Sequence, residues 1–297
     1  MESVYWVFTL KCNDFCDHCY NDSGPRGQTL PLEDLLQVIP NLPRNPGRLI
    51  LSGGEPLAEW KKLQELLKGI GEFYENKVPI FVQTNGDLLN EKKLETLLKL
   101  GVNRIDITSL DRFHKFQGSR ENHLRDLFHK AGMVHADQYQ EGSNQVTFTM
   151  WGATEDLWLG GNWARGRALE NNLYLNNPEH NFCEIWSGAK DFLNPESGRQ
   201  EIHIQLATLY PCCPTTSIAL GDARLKPIQE LLTQASEEAT WQVLNQGKIE
   251  ELGSHRGLSK DYIQSRIHEL GNVCLWCDEY FEKHHKVSAE NIIPSPS

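Results

Sequence analysis

The stretch Cys12-Asn13-Asp14-Phe15-Cys16-Asp17-His18-Cys19-Tyr20 follows directly on an apolar run, Val4 to Leu10, that reads as a strand. Three cysteines spaced C-x3-C-x2-C lie in a short loop tethered to that strand, so their sulfurs can converge on one centre. Thiolates are soft donors that select iron–sulfur clusters, zinc or Cu(I). A fully ligated cubic cluster takes four cysteines; three leave one iron open to a ligand from outside the loop. The competing reading is a zinc loop completed by His18.

The segments that follow alternate. A helix is expected at about Leu32 to Ile39, with Pro31 suited to its first turn. A short strand, Arg48 to Leu51, runs into Ser52-Gly53-Gly54-Glu55-Pro56, where two glycines permit a sharp turn and close backbone approach. Glu55 there presents a carboxylate suited to an ammonium group. A helix is expected over Trp60 to Tyr74, and a strand from Pro79 ends in Thr84-Asn85-Gly86, which also reads as an ordinary turn. A helix over Glu91 to Leu100 is closed by Gly101. A strand over Arg104 to Thr108 leads to Ser109 and Asp111, residues equally suited to capping. A helix over Glu121 to Ala131 and a strand over Gln145 to Trp151 complete the series. Such alternation predicts parallel β/α units.

The cysteine loop and the G-G-E-P segment after the second strand together resemble the radical S-adenosylmethionine (SAM) superfamily. The resemblance implies a partial (β/α)6 barrel over residues 1–175, with ligands at the C-terminal strand ends as in full barrels. It implies that Cys12, Cys16 and Cys19 hold a [4Fe-4S] cluster whose open iron binds SAM, and that reductive cleavage yields a 5′-deoxyadenosyl radical. SAM contacts are implied for Gly53, Gly54, Glu55, Thr84, Asn85 and Ser109, with Asp111 second to Ser109. The segment Asn162 to Ala168 resembles a G-R-A segment of relatives with an extra C-terminal domain, so Arg165 or Arg167 could meet the SAM carboxylate; Arg165 is the candidate taken. The family usually has an aromatic residue before the third cysteine, where this chain has His18.

Beyond about Asn176 the pattern changes. Asp191 to Leu193 and Gln200 to Leu206 read as a β-hairpin, and helices are expected over Ile228 to Leu244 and Lys260 to Leu270. Cys183, the pair Cys212-Cys213, and Cys274-Leu275-Trp276-Cys277 offer four further thiolates. This resembles a small α+β twitch/SPASM-like domain over 176–297 holding a second, auxiliary [4Fe-4S] cluster. By that resemblance Cys183, Cys212, Cys274 and Cys277 are ligands, since the cysteine directly after proline ligates. Structural zinc and unligated buried cysteines remain the alternatives. Cys213 is then spare, or a thiol that returns a hydrogen atom to a product radical.

The chain has 297 residues and a formal net charge of −11, which argues against nucleic acid or an anionic membrane as its main partner. No apolar run reaches spanning length, and no signal peptide precedes the first strand. Eight cysteines without an export signal suggest metal ligands in a reducing cytoplasm. The last residues, Ile293 to Ser297, read as a frayed tail.

The function expected is hydrogen abstraction from a small metabolite, with flavodoxin or ferredoxin as electron donor. Because the first strand starts near Met1, no leader-recognition domain is expected. A peptide-modifying maturase and a non-enzymatic iron–sulfur or zinc scaffold are the alternatives.

Overall fold

The computed structural model describes residues 1–111, 113–114, 119–140, 142, 145–152, 163–188 and 190–285. The start of the G-R-A segment, Asn162, and the tail Ile293 to Ser297 lie outside them.

The elements run β1 (Ser3–Val7), α1 (Leu32–Leu36), β2 (Arg48–Ser52), α2 (Trp60–Phe73), β3 (Ile80–Thr84), α3 (Glu91–Lys99), β4 (Val102–Ile107), α4 (Ser119–Lys130), β5 (Val134–His135), β6 (Thr147–Met150) and α5 (Gly166–Glu170). The second half adds β7 (Glu201–Gln205), β8 (Thr208–Tyr210), β9 (Gly221–Asp222), α6 (Ile228–Ser236), α7 (Ala239–Asn245), α8 (Lys260–Leu270) and α9 (Val273–Lys283). One sheet joins all the strands in the order β5-β6-β4-β3-β2-β1-β7-β8-β9. Every pair from β5 to β7 is parallel; β7–β8 and β8–β9 are antiparallel. This is a mixed α/β fold with a parallel sheet, consistent with a partial radical SAM barrel.

Period-two alternation decides which side chains face which layer. In β1, Val4 and Trp6 are fully buried in the core, where each contributes about 1.5–3 kcal/mol by leaving water. Leu63, Leu66, Leu67 and Ile70 form the buried stripe of α2 against the sheet. Register aligns the opposite face: Tyr5 sits beside Ile50 and His203, and Asp106 beside Gln83 and Thr149. These residues line the lumen.

Two expectations change. The hairpin is β7–β8, turning at Leu206–Ala207, whereas Asp191–Leu193 forms no strand. β7 is pulled away from that segment because it adds in parallel to β1, with Ser3 opposite Glu201 and the Ser3 hydroxyl donating to the Glu201 carboxylate. The hydrogen-bonded sheet therefore crosses residue 175. The helix expected over Ile228 to Leu244 is two helices, α6 and α7, broken at Glu237–Glu238. Among the described residues no helix is long and apolar enough to cross a membrane.

Candidate functional site

The C-terminal ends of β1, β2, β3 and β4 meet at one cavity of about 130 Å3. Cys12, Cys16 and Cys19 line it together with Gly53, Gly54, Thr84 and Asn85, as do Tyr5, Gln83, Trp151 and Arg167. Sequence-distant residues thus converge because parallel strands deliver all their exit loops to the same edge.

Gly54 shows why that convergence needs glycine. A Cβ there would lie 2.7 Å from the Leu10 and Lys11 carbonyl oxygens and 2.8 Å from the Ser23 Cβ. The close approach is therefore to the cysteine loop itself. The backbone seals the seam: Gly54 N donates to Thr9 O at 2.8 Å and Glu55 N to Lys11 O at 2.8 Å.

Glu55 sits behind the cavity wall. Its fully buried carboxylate accepts from Leu57 N at 2.9 Å, Thr84 Oγ1 at 2.7 Å and Asn85 N at 2.7 Å. Burial raises its pKa, against these hydrogen bonds, which lower it. Glu55 thus ties the end of β2 to the end of β3. Ser109 plays a similar part, donating to Asn85 O at 2.6 Å and accepting from Arg120 at 2.6 Å. Asp111 accepts from Phe113 N at 2.9 Å and pairs with His114 at 2.8 Å. Neither Glu55 nor Ser109 lines the cavity; Thr84, Asn85 and both glycines do.

The sulfurs have N–H donors aimed at them: Asp14 N to Cys12 Sγ at 3.4 Å, Ser23 N to Cys19 Sγ at 3.3 Å, and Asn85 Nδ2 to Cys12 Sγ at 3.9 Å. Burial pushes the Cys12 thiol up to about 12 and the Cys16 thiol up as well, with the Asp14 carboxylate adding to the rise for Cys16. Such sites favour thiolates only when a cation is supplied among them, as a bound metal does. Three thiolates on one zinc at about 2.3 Å would lie about 4 Å apart. Among the described residues no three cysteine sulfurs lie within 4.8 Å of one another.

Arg167, offered by the sequence beside Arg165 as a contact of the SAM carboxylate, lines the cavity but spends its guanidinium on the cysteine loop. Its guanidinium donates to Cys16 O at 2.9 Å, Ser23 O at 2.5 Å and Asp22 at 2.7 Å, and stands 3.7 Å from the Phe15 ring centroid. It clamps both ends of the cysteine loop. His18 stacks on Phe113 at 4.4 Å, and burial pushes its imidazole down to about 4, so it is neutral. His18, Asp111 and His114 also place three donor atoms within 4.8 Å of one another, inside the same cavity region.

Arg165 is elsewhere. It donates to Cys274 O at 3.1 Å and pairs with Asp278 at 2.7 Å. Burial opposes its charge, but the Cys274 thiol, Asp278 and the Cys277 and Cys212 thiols outweigh that and hold it above its usual range. These three cysteines and Cys183 feel one another: burial raises Cys183, then Cys274 and Cys212; burial raises Cys277, then Cys183. Cys274 and Cys277 lie at i, i+3 on the first turns of α9, so they share a helix face. Asn272 caps that helix through Cys274 N at 2.8 Å. Cys213 points the other way, into the lumen, with Sγ 3.0 Å from the Tyr20 hydroxyl.

Residues 6–124 match the family model of the Radical SAM superfamily. Over 116 residues the chain is 31% identical to the S-adenosyl-L-methionine-dependent 2-deoxy-scyllo-inosamine dehydrogenase of Niallia circulans, a match covering 36% of this chain and 45% of that protein. The chain therefore spans about half the length of the curated relative it matches. The fold is similar to the crystal structure of BtrN in complex with AdoMet and 2-DOIA, with a TM-score of 0.51, 17% identity, and coverage of 88% of this chain and 90% of that one. The stretch similar to the Radical SAM superfamily model, residues 6–124, holds both the cysteine loop and the G-G-E-P segment.

Proposed function

We propose that this protein is a radical SAM oxidoreductase acting on a small molecule held in the barrel lumen. The observation that carries the reading is the meeting of Cys12, Cys16 and Cys19 with Gly53, Gly54, Thr84 and Asn85 on one cavity. When bound, SAM on the first cluster supplies a 5′-deoxyadenosyl radical that removes a substrate hydrogen atom, and an auxiliary [4Fe-4S] cluster supplies an acceptor for a second electron or an anchor.

The chain's residues divide that work. Cys12, Cys16 and Cys19 hold the first cluster, and Arg167 keeps their loop closed around it. Glu55 and Ser109 fix the strand ends that present Thr84 and Asn85 to SAM. Cys183, Cys212, Cys274 and Cys277 hold the second cluster, supported by their mutual proximity and by half-buried Arg165 offsetting their charge. The cavity continues into the lumen through Tyr5, Tyr20, Gln83 and Trp151, which line both spaces. An external flavodoxin- or ferredoxin-type donor supplies electrons, and the protein works in the cytoplasm.

Oxidation is favoured by the likeness to an S-adenosyl-L-methionine-dependent 2-deoxy-scyllo-inosamine dehydrogenase. A second reading, redox-neutral epimerisation, is favoured by Cys213. Burial pushes that thiol up to about 12, so it keeps its hydrogen at neutral pH, and it faces the lumen. It could then donate a hydrogen atom, with Tyr20 beside it.

The test is anaerobic incubation of iron-loaded protein with SAM, dithionite and 2-deoxy-scyllo-inosamine. 5′-Deoxyadenosine and a product lighter by two hydrogens are expected. A product of unchanged mass in ordinary water that is one unit heavier in heavy water would point to Cys213, and Cys213→Ala would then cleave SAM without net product. Iron-loaded protein that forms no 5′-deoxyadenosine would sink the reading and revive a scaffold role. Turnover only with a peptide would favour the maturase reading.

A further inference from the structure

The cysteine cavity carries a second group of donors on its wall. His18 stands within the cysteine loop, and Asp111 and His114 follow β4, so the group joins segments far apart in the chain. His18 and His114 both line the cavity. One donor atom from each of His18, Asp111 and His114 lies within 4.8 Å of the other two. Among the described residues this is the one such group of histidine, cysteine and carboxylate donors.

The turn after β4 prepares two of the three. Asp111 Oδ1 accepts from Phe113 N at 2.9 Å and stands 2.8 Å from His114 Nδ1. Only 1% of the Asp111 side chain and 11% of the His114 side chain is exposed. Phe113 in the same turn stacks on His18 at 4.4 Å, and the His18 and His114 rings meet edge to face at 5.4 Å. Stacking thus delivers the loop imidazole beside the Asp111–His114 pair. His18 Nδ1 is shut off from solvent and has no hydrogen-bond partner. Leaving a buried polar atom unpaired costs about 1–3 kcal/mol. The ring therefore keeps coordinating capacity that the protein itself does not use.

Two imidazoles and one carboxylate select the kind of ion. Calcium and magnesium take oxygen ligands, whereas imidazole suits zinc and its first-row neighbours. Zinc bonds to nitrogen and oxygen of about 2.0–2.2 Å put the donors of a tetrahedron about 3.3 Å apart. Asp111 and His114 already lie inside that separation. His18 has at most about 1.5 Å to close, which a turn of its ring supplies. Three protein ligands leave the fourth position to water or to a ligand.

We propose that His18, Asp111 and His114 form a binding site for a divalent ion of the zinc type, which fastens the cysteine loop to the segment leaving β4. The site is distinct from any held by the cysteines and does not rest on the radical SAM reading.

Equilibrium dialysis of the iron-loaded protein against zinc chloride, read by elemental analysis and by X-ray absorption at the zinc edge, tests it. Loading with iron first keeps the thiolates occupied. One zinc per chain is expected, with nitrogen and oxygen neighbours at about 2.0–2.2 Å and no sulfur at about 2.3 Å. His18→Phe, which keeps a ring to stack on Phe113, and His114→Ala should each weaken binding at least about tenfold, the smallest loss usual for disturbing a metal site. Should either variant fail to fold, Asp111→Asn stands in, with the same weakening expected. No zinc bound at about 100 μM free metal overturns the site. So do sulfur neighbours, or unchanged affinity in the folded variants. Zinc lost in His18→Phe yet held by His114→Ala would place the ion on the cysteine loop and overturn the site as well.

Discussion

The two sets of cysteines are assembled in opposite ways. The first takes its three thiols from eight consecutive residues and leaves a cavity beside them. The second gathers Cys183, Cys212, Cys274 and Cys277 from across the C-terminal region, and these residues line none of the cavities described above. The first is steadied by N–H groups pointing at sulfur and by Arg167 bonded to the loop backbone. The second has a half-buried guanidinium, Arg165, among the thiols and the N-terminal turns of α9 beneath two of them. A site built for exchange of a ligand needs an open face and a loop clamped from outside.

The largest test of that contrast removes one site at a time. The triple variant Cys12→Ala, Cys16→Ala, Cys19→Ala should form no 5′-deoxyadenosine yet retain about four irons per chain after anaerobic reconstitution. Near-zero iron with one bound zinc would mean that the second site is structural.

Next in size is the adjacent pair. Cys212→Ala should lose the iron of the second site, whereas Cys213→Ala should keep both iron complements. Equal loss in the two variants would erase the distinction drawn from their opposite directions.

Arg167→Gln should act on the first site alone. It strips the partner from Ser23 O, and a buried carbonyl left unpaired costs about 1–3 kcal/mol, while Cys16 O keeps Cys19 N at 3.2 Å. A lower midpoint of thermal unfolding with faster loss of first-site iron is expected; unchanged values would remove the clamp.

The smallest effect concerns Arg165. A cation beside an anionic cluster favours its more negative, reduced form, so Arg165→Gln should lower the midpoint potential of the second site. The shift should be on the order of tens of millivolts, since about 59 mV corresponds to a tenfold change for one electron. Arg165→Lys should restore most of it. An unchanged potential in an electron-paramagnetic-resonance redox titration would show that the charge is screened.

The order of strands and helices was readable because periodicity is local: β2, β3, α2 and α3 fall within a few residues of their expected limits. The G-G-E-P segment was readable as a site, but the work of its residues was not. Gly54 meets the Leu10 and Lys11 carbonyls, and Glu55 spends its carboxylate on Thr84 and Asn85, partners some thirty positions away in the chain.

The sequence by itself placed Cys12, Cys16 and Cys19 in one short loop, because C-x3-C-x2-C after a strand spans only eight residues. It also determined the β/α alternation that brings Gly53, Thr84 and the cysteines to one edge. Only the tertiary structure decided that β7 closes onto β1, that Cys212 turns toward Cys183 while Cys213 turns into the lumen, and that Arg165 and Arg167 serve different sites. Those outcomes depend on pairings between distant segments, such as Ser3 with Glu201 and Arg165 with Asp278. No local spacing encodes them, since the direction of a side chain in an irregular turn is set by what packs against it.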